Sequence, residues 1–218
     1  NNADTDDDND GIADVLDALP LDDSNSWEYE EYVDGIKSTG CKETCSFNLV
    51  IPHTIAGKNV TSIGNSAFTW SELTSVIIPD SVINIGSSAF DGNRLTSVTI
   101  PDSVISIASY TFSFNQLNSV TIPNSVTIIG NEAFKDNKLM SVILPDRLIN
   151  VGHGAFRKNK LTNISIPQTV LSIGNGSFHN NKLSSVTIPA SVLSVGINAF
   201  NKNNLLSVTF LGQRPTLN

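Results

Sequence analysis

The chain has little of what most active sites require. Its 218 residues include two cysteines, three histidines and one methionine. His53, His153 and His179 share no common spacing. No G-x-S-x-G, G-K-[ST], H-E-x-x-H or paired C-x-x-C motif occurs, so no nucleophile with its base, phosphate cradle or zinc site is marked. Serine and threonine are abundant, but a hydroxyl without a positioned base is inert. No catalytic residue is therefore assigned. There is no run of eighteen apolar residues to cross a membrane as a helix. The chain opens at Asn1 inside an acidic run, which reads as a mature form or an excised piece.

What the chain does have is a period. Pro79, Pro101, Pro123, Pro145, Pro167 and Pro189 stand 22 residues apart without a slip. Phe68, Phe90, Phe112, Phe134, Phe156, Phe178 and Phe200 keep the same step, as do Leu73 to Leu205 and Val76 to Val208. Seven copies of L-x-S-V-x-I-P-x-S-V-x-x-I-G-x-x-A-F-x-x-N-x fit between Gly57 and Phe210, with Gly57 at the first proline position. A fixed period of this length predicts a solenoid, in which each unit buries its apolar face only against its neighbours. Leu, Val and Ile point inward from one short strand per turn, and proline ends that strand because it has no N–H to donate. V-x-x-I makes a second inward contact. Gly64, Gly86, Gly130, Gly152, Gly174 and Gly196 permit a corner that a side chain would block. Ala108 at the same position argues that this corner is not strictly left-handed. Asn93, Asn115, Asn137, Asn159, Asn181 and Asn203 are expected to bond backbone at the opposite corner. Seven turns at ~4.8 Å give a rod ~34 Å long.

The compressed motif L-x-x-V-x-I resembles the leucine-rich repeats, and the full unit is similar to the BspA-like repeats of bacterial surface proteins and some parasitic protists. Leu95 to Phe112 and Leu183 to Phe200 carry that resemblance almost letter for letter, and it covers residues 48 to 218. It implies a β-rich, right-handed leucine-rich-repeat solenoid with an N-terminal cap. It also implies adhesion to host proteins, other cells or matrix rather than catalysis.

Charge divides the chain. Residues 1 to 56 hold fourteen acidic and two basic residues, whereas residues 57 to 218 hold seven acidic and eleven basic. Within the acidic part, Asp6, Asp8, Asp10, Gly11, Asp14 and Asp17 spell D-x-D-x-D-G-x-x-D-x-x-D. Alternate carboxylates around a turn-making glycine are what an EF-hand-type calcium loop needs, with the Ile12 carbonyl adding an oxygen. Through Pro20 and Asp22 the segment resembles a thrombospondin type 3 calcium repeat, which implies Asp6, Asp8, Asp10, Ile12, Asp14 and Asp17 as ligands. It departs from the EF-hand in having Asp17 at the position of the longer, bidentate Glu, and only one full copy is present. The alternative is an acidic linker held open by its own charge. Residues 1–22 are assigned to this linker, 23–56 to the cap, 57–210 to the repeats and 211–218 to the start of an incomplete turn.

In the cap, Trp27, Tyr29 and Tyr32 alternate as a strand would, and Asn48 to Pro52 mimics a repeat strand that pairs with the first one. His53 to Lys58 absorbs an insertion as a loop. Cys41 and Cys45 are read as a disulfide in an oxidising, calcium-rich setting, with a metal pair or two free thiols as the other options.

Function then falls to the outer faces. The strand face carries hydroxyl-rich columns, Ser75 to Ser207 and Thr99 to Thr209, interrupted by Ile77, Met140 and Ile143. Arg94, Lys135, Lys138, Arg157, Lys158, Lys160, Lys182 and Lys202 all fall in the x-x-N-x corner and stack as a basic ridge. The ridge reads either as a solvated edge that blocks lateral association or as a contact line for an anionic polymer. A chain of net charge −8 without aromatics interleaved along the ridge does not read as a nucleic-acid binder. The expectation is a secreted or cell-surface, monomeric binding or adhesion module with calcium as its only cofactor, recognising a host or cell-surface protein or glycan. The alternative is a structural spacer or targeting domain of a larger secreted protein.

Overall fold

The computed structural model describes residues 27–32, 35–41 and 46–217. It is a β-solenoid of about eight turns at the 22-residue step, with no helix among the described residues. Asp6 to Asp17, expected from the sequence to bind calcium, lie outside the described part.

The core is built column by column. Six phenylalanines, Phe68 to Phe178, have no accessible surface, and Phe200 is half-buried at the last full turn. Their rings stack nearly parallel at 5.4–5.6 Å between centroids, from Phe68 through to Phe200. Trp27 closes one end of the stack edge-on, 6.3 Å from Phe68. The Leu, Val and Ile columns are buried beside it along the coil.

One short strand per turn was expected; most turns have two. The expected one recurs as Ser75–Ile77, Ser97–Thr99, Ser119–Thr121, Ser185–Ile188 and Ser207–Phe210. It pairs only two by two, and no strand forms at 141–143 or 163–165. The second strand, on the V-x-x-I segment, forms an unbroken parallel ladder of six from Ser106–Ile107 to Thr216–Leu217. The reason lies in the donors. Except in the last turn, each expected strand is preceded by a Leu whose N–H goes to a side chain, as Leu139 does to Asn159, and is followed by a proline with no N–H. Little backbone remains there for a ladder.

The glycine corner is blocked to a side chain and is not left-handed, as the sequence indicated. None of the six column glycines needs a positive φ. Instead, a Cβ on Gly86 would lie 2.5 Å from the Asn65 nitrogen, and one on Gly152 2.5 Å from the Gly130 carbonyl carbon. Glycine here lets one turn lie directly on the turn before it. The left-handed position comes two residues later, at Ser66, Ser88, Tyr110, Glu132, Gly154, Gly176 and Asn198.

In the cap, β1 (Trp27–Tyr32) and β2 (Gly35–Cys41) form an antiparallel pair, and β2 joins the solenoid by running parallel to β5 (Lys58–Ile63). As expected, β3 (Asn48–Val50) pairs with Ser75–Ile77. The insertion at 53–58 is a tight hairpin rather than a loop. There, β4 (Thr54–Ile55) pairs antiparallel with β5 across Ala56 and Gly57, both at positive φ. Such a two-residue turn requires residues that tolerate positive φ, which accounts for Gly57 at a proline position. Cys41 is disulfide-bonded; Cys45 lies outside the described residues.

A candidate binding edge at the asparagine corner

The residues after each phenylalanine turn the chain. The asparagine points inward. Each Asn from Asn93 to Asn203 accepts at Oδ1 from a leucine N–H of the preceding turn, at 2.9–3.1 Å. Its Nδ2 donates to the phenylalanine carbonyl of the preceding turn, at 2.7–2.9 Å, and to that of its own turn. The residue just before it stands in the left-handed region in every turn, at Gly92, Phe114, Asp136, Lys158, Asn180 and Lys202, as does Trp70 before Ser71 at the same position of the first turn. That backbone directs the neighbours of the buried asparagine outward, so the edge is fixed by the core but free in sequence.

The eight basic residues named from the sequence all lie on this edge, in three adjoining columns. Lys135 and Arg157 follow the phenylalanine directly, Lys158 and Lys202 come one later, and Arg94, Lys138, Lys160 and Lys182 follow the asparagine. They are not equivalent. Arg94 pairs with Glu72 at 3.3 Å, Lys135 with Glu132 at 2.6 Å and Lys158 with Asp136 at 3.2 Å. Lys138 donates to Gln116 Oε1 at 2.9 Å. Among the described residues, Lys138, Arg157, Lys160, Lys182 and Lys202 have no carboxylate partner, so most of the uncompensated charge gathers in the C-terminal half. His179 stands in the column of Arg157. Burial lowers its pKa first, and the positive charges of Arg157 and Lys202 lower it further.

The N-terminal half of the edge is aromatic, which corrects the expectation that no aromatics interleave the ridge and leaves the acidic balance of the chain as the remaining sequence argument against nucleic acid. Trp70 is 68% exposed and Phe114 41%. The signal was present: in a column otherwise polar or glycine, only these two positions are aromatic. A second unanticipated feature is an exposed aliphatic row on the continuous ladder, at Ile83, Ile105, Ile149, Leu171 and Leu193. It is visible in the sequence as the first variable position of V-x-x-I.

Other candidates gather nothing. His53 and His153 are exposed in different columns. Among the described residues no three His, Cys, Asp or Glu side chains converge on a metal-sized site. The row Asp80, Asp102 and Asp146 is exposed at the turn after proline. The recurring hydroxyls of Ser81, Ser103, Ser125 and Thr169 donate to backbone carbonyls of the turn before, which is a structural use. A cleft of about 330 Å³ opens between Ser75–Ile78 and Ser97–Thr99, two strand segments that do not pair with each other. The hydroxyl-rich strand face is exposed along its length, with Met140 and Ile143 standing out from it.

A coil of short parallel strands around stacked leucine, phenylalanine and asparagine columns defines a leucine-rich repeat protein. The BspA type leucine rich repeat region matches in six copies over residues 41–159 and 106–216, and the chain belongs to that family. No curated protein sequence matches it. Among solved structures it is similar to a leucine-rich repeat protein from Bacteroides ovatus, with 26% identity and a TM-score of 0.75 over 91% of this chain and 54% of that one. It is also similar to a leucine rich cell surface protein from Faecalibacterium prausnitzii, with 30% identity and a TM-score of 0.76 over 86% of this chain and 54% of that one. A leucine rich repeat protein of T. pallidum, 24% identical with a TM-score of 0.58 over 91% of this chain and 85% of that one, shares the fold. The chain thus spans about half the length of the first two. Among the described residues no helix is long and apolar enough to cross a membrane.

Proposed function

We propose that this chain is a secreted or cell-surface binding module that holds an anionic partner, the acidic surface of a protein or glycan, along the C-terminal half of the asparagine-corner edge. The observation that carries this reading is the gathering of Arg157, Lys160, Lys182 and Lys202 on three successive turns without carboxylate partners, on an edge where Arg94 and Lys135 of the first half are each paired with one. An extracellular setting is supported by the disulfide at Cys41, since disulfides persist where conditions are oxidising, and by the cell-surface description of the Faecalibacterium relative. The test uses immobilised polygalacturonate and dextran sulfate. Binding should fall steeply between low and physiological salt, because exposed charges are screened beyond ~8–10 Å. Lys160→Glu with Lys182→Glu should weaken it at least tenfold while leaving the unfolding midpoint in place. Unchanged binding in that variant would reduce the ridge to a solvated edge.

The acidic segment is proposed to hold one calcium ion, with the Asp6, Asp8, Asp10, Asp14 and Asp17 carboxylates and the Ile12 carbonyl as an all-oxygen donor set suited to a hard cation. Affinity is expected at ~10⁻⁴–10⁻³ M, as in extracellular modules. Calorimetry should show one site that disappears in Asp8→Ala with Asp10→Ala, while the solenoid stays folded in chelator. Equal heat from the double variant would remove the loop from consideration.

A further inference from the structure

We infer that Trp70 and Phe114 form a sugar-stacking platform, a subsite for the pyranose rings of a glycan. The inference extends the binding-edge reading to the edge's other half and names the chemistry of its ligand.

Trp70 is held flat. Gly92, one turn on in the same column, has a φ of +71°, and a Cβ added there would lie 2.5 Å from Cε2 and 2.7 Å from Cε3 of the indole. Near-equal distances to several ring atoms mean that the indole lies face-down over the Gly92 backbone. Its other face is open, since the residue is 68% exposed. Gly92 is the only glycine in its column, and it stands where the indole needs the space. One turn further, Phe114 continues the surface, with the Lys135 ammonium 4.9 Å from its ring centroid, within cation–π reach. Trp70 and Phe114 are two turns apart, ~10 Å at the ~4.8 Å strand spacing, which approaches the length of a disaccharide.

The flanks fit a sugar better than a protein. A pyranose presents a C–H face that stacks on an aromatic ring, and a rim of hydroxyls that needs donors and acceptors. Both kinds of group line the platform. The Glu72–Arg94 ion pair lies on one side. On the other, Asp91 accepts a hydrogen bond from the Ser113 hydroxyl. A protein hot spot instead sits in a packed pocket ringed by contacts that exclude water. An aromatic row one residue wide, with polar columns on both sides, provides no such ring.

The experiment follows the Trp70 indole N–H by NMR, assigned as the signal lost in Trp70→Phe, while cellohexaose, chitohexaose, mannohexaose and hexagalacturonate are titrated. At least one neutral hexamer should shift that signal saturably, protect Trp70 emission from acrylamide quenching, and bind equally well in high salt. Trp70→Ala and Phe114→Ala should each cost at least tenfold in affinity, with unfolding midpoints unchanged. The inference fails if no hexamer moves the Trp70 signal, if binding survives Trp70→Ala, or if only a protein partner covers the indole. The two readings separate cleanly. A neutral sugar that moves Trp70 upholds the platform even if the lysines bind no polyanion. Polyanion binding that depends on Lys160 and Lys182 but leaves Trp70 untouched by every hexamer upholds the basic edge alone.

Discussion

Asn159 and Lys158 are adjacent in the chain and stand on opposite sides of one boundary. Asn159 is buried, and with its equivalents in five other turns it makes the same bonds to the same three backbone groups. Lys158 is exposed, and its column holds an indole, a glycine, a phenyl ring, a carboxylate, an amide and two ammonium groups. The buried member is repeated because each turn presents its neighbour with the same orphan N–H and carbonyls. The outer member is free because its left-handed backbone is paired turn to turn through main-chain groups, as in Lys158 N–H to the His179 carbonyl at 2.8 Å. Stability resides in the columns that repeat, and recognition is free to reside in those that do not.

The comparison breaks most visibly through the ring stack. Phe134→Ala removes a ring with neighbours at 5.6 and 5.4 Å on its two sides and no solvent access. It should cost ~3–5 kcal/mol, as large buried rings do, in chemical unfolding followed by circular dichroism. Phe200→Ala, at the half-buried end of the stack, should cost less. A loss below about 1 kcal/mol for Phe134→Ala would mean that the stack is not the core.

A smaller effect sharpens the boundary itself. Asn159→Ala leaves the Leu139 N–H and the Phe134 and Phe156 carbonyls without their partner. With net hydrogen bonds worth ~0.5–1.5 kcal/mol each, the cost should be about 3 kcal/mol. Lys158→Ala, one residue away, loses only an exposed pair with Asp136 and should stay within about 0.5 kcal/mol. Equal costs at the two positions would erase the distinction between inside and outside.

Most of the inside was legible in the sequence. The Phe, Leu, Val and Asn columns announce their burial by scarcely varying, with Ile164 among the valines and Ser71 before Asn93 as the departures, and the corner role of Asn follows from its side-chain amide. The glycine column was visible, and Ala108 within it already spoke against a left-handed corner; that the turn before it needs the space was not visible. The second strand was hidden in the V-x-x-I segment, since two-residue strands carry no alternation to read. Trp70 and Phe114 escaped because a periodic reading attends to what recurs, and these residues matter by departing from their column. The pairing of Lys158 with Asp136 and of Arg94 with Glu72 escaped for a different reason. It depends on which residue lies 22 positions away, a relation that column-wise reading passes over.

His179 offers the smallest and finest test, because it sits where buried backbone meets the charged edge. Its pKa lies below the ordinary 6.5, chiefly through burial and then through Arg157 and Lys202. The folded chain therefore holds this proton less tightly than the unfolded chain. The resulting contribution to stability is complete above pH 6.5 and is lost as pH falls through the folded-state value. Proton NMR of the imidazole, assigned with His179→Asn, should show titration below that of a free histidine. Lys202→Gln should move it only part of the way back, since burial is the larger cause and remains. A docked polyanion should raise it as well, by placing negative charge beside Arg157 and Lys202. A titration unmoved by both Lys202→Gln and saturating polygalacturonate would mean that the imidazole does not sense the edge. Movement with the polyanion alone would report docking directly, without any change in the repeat columns beneath.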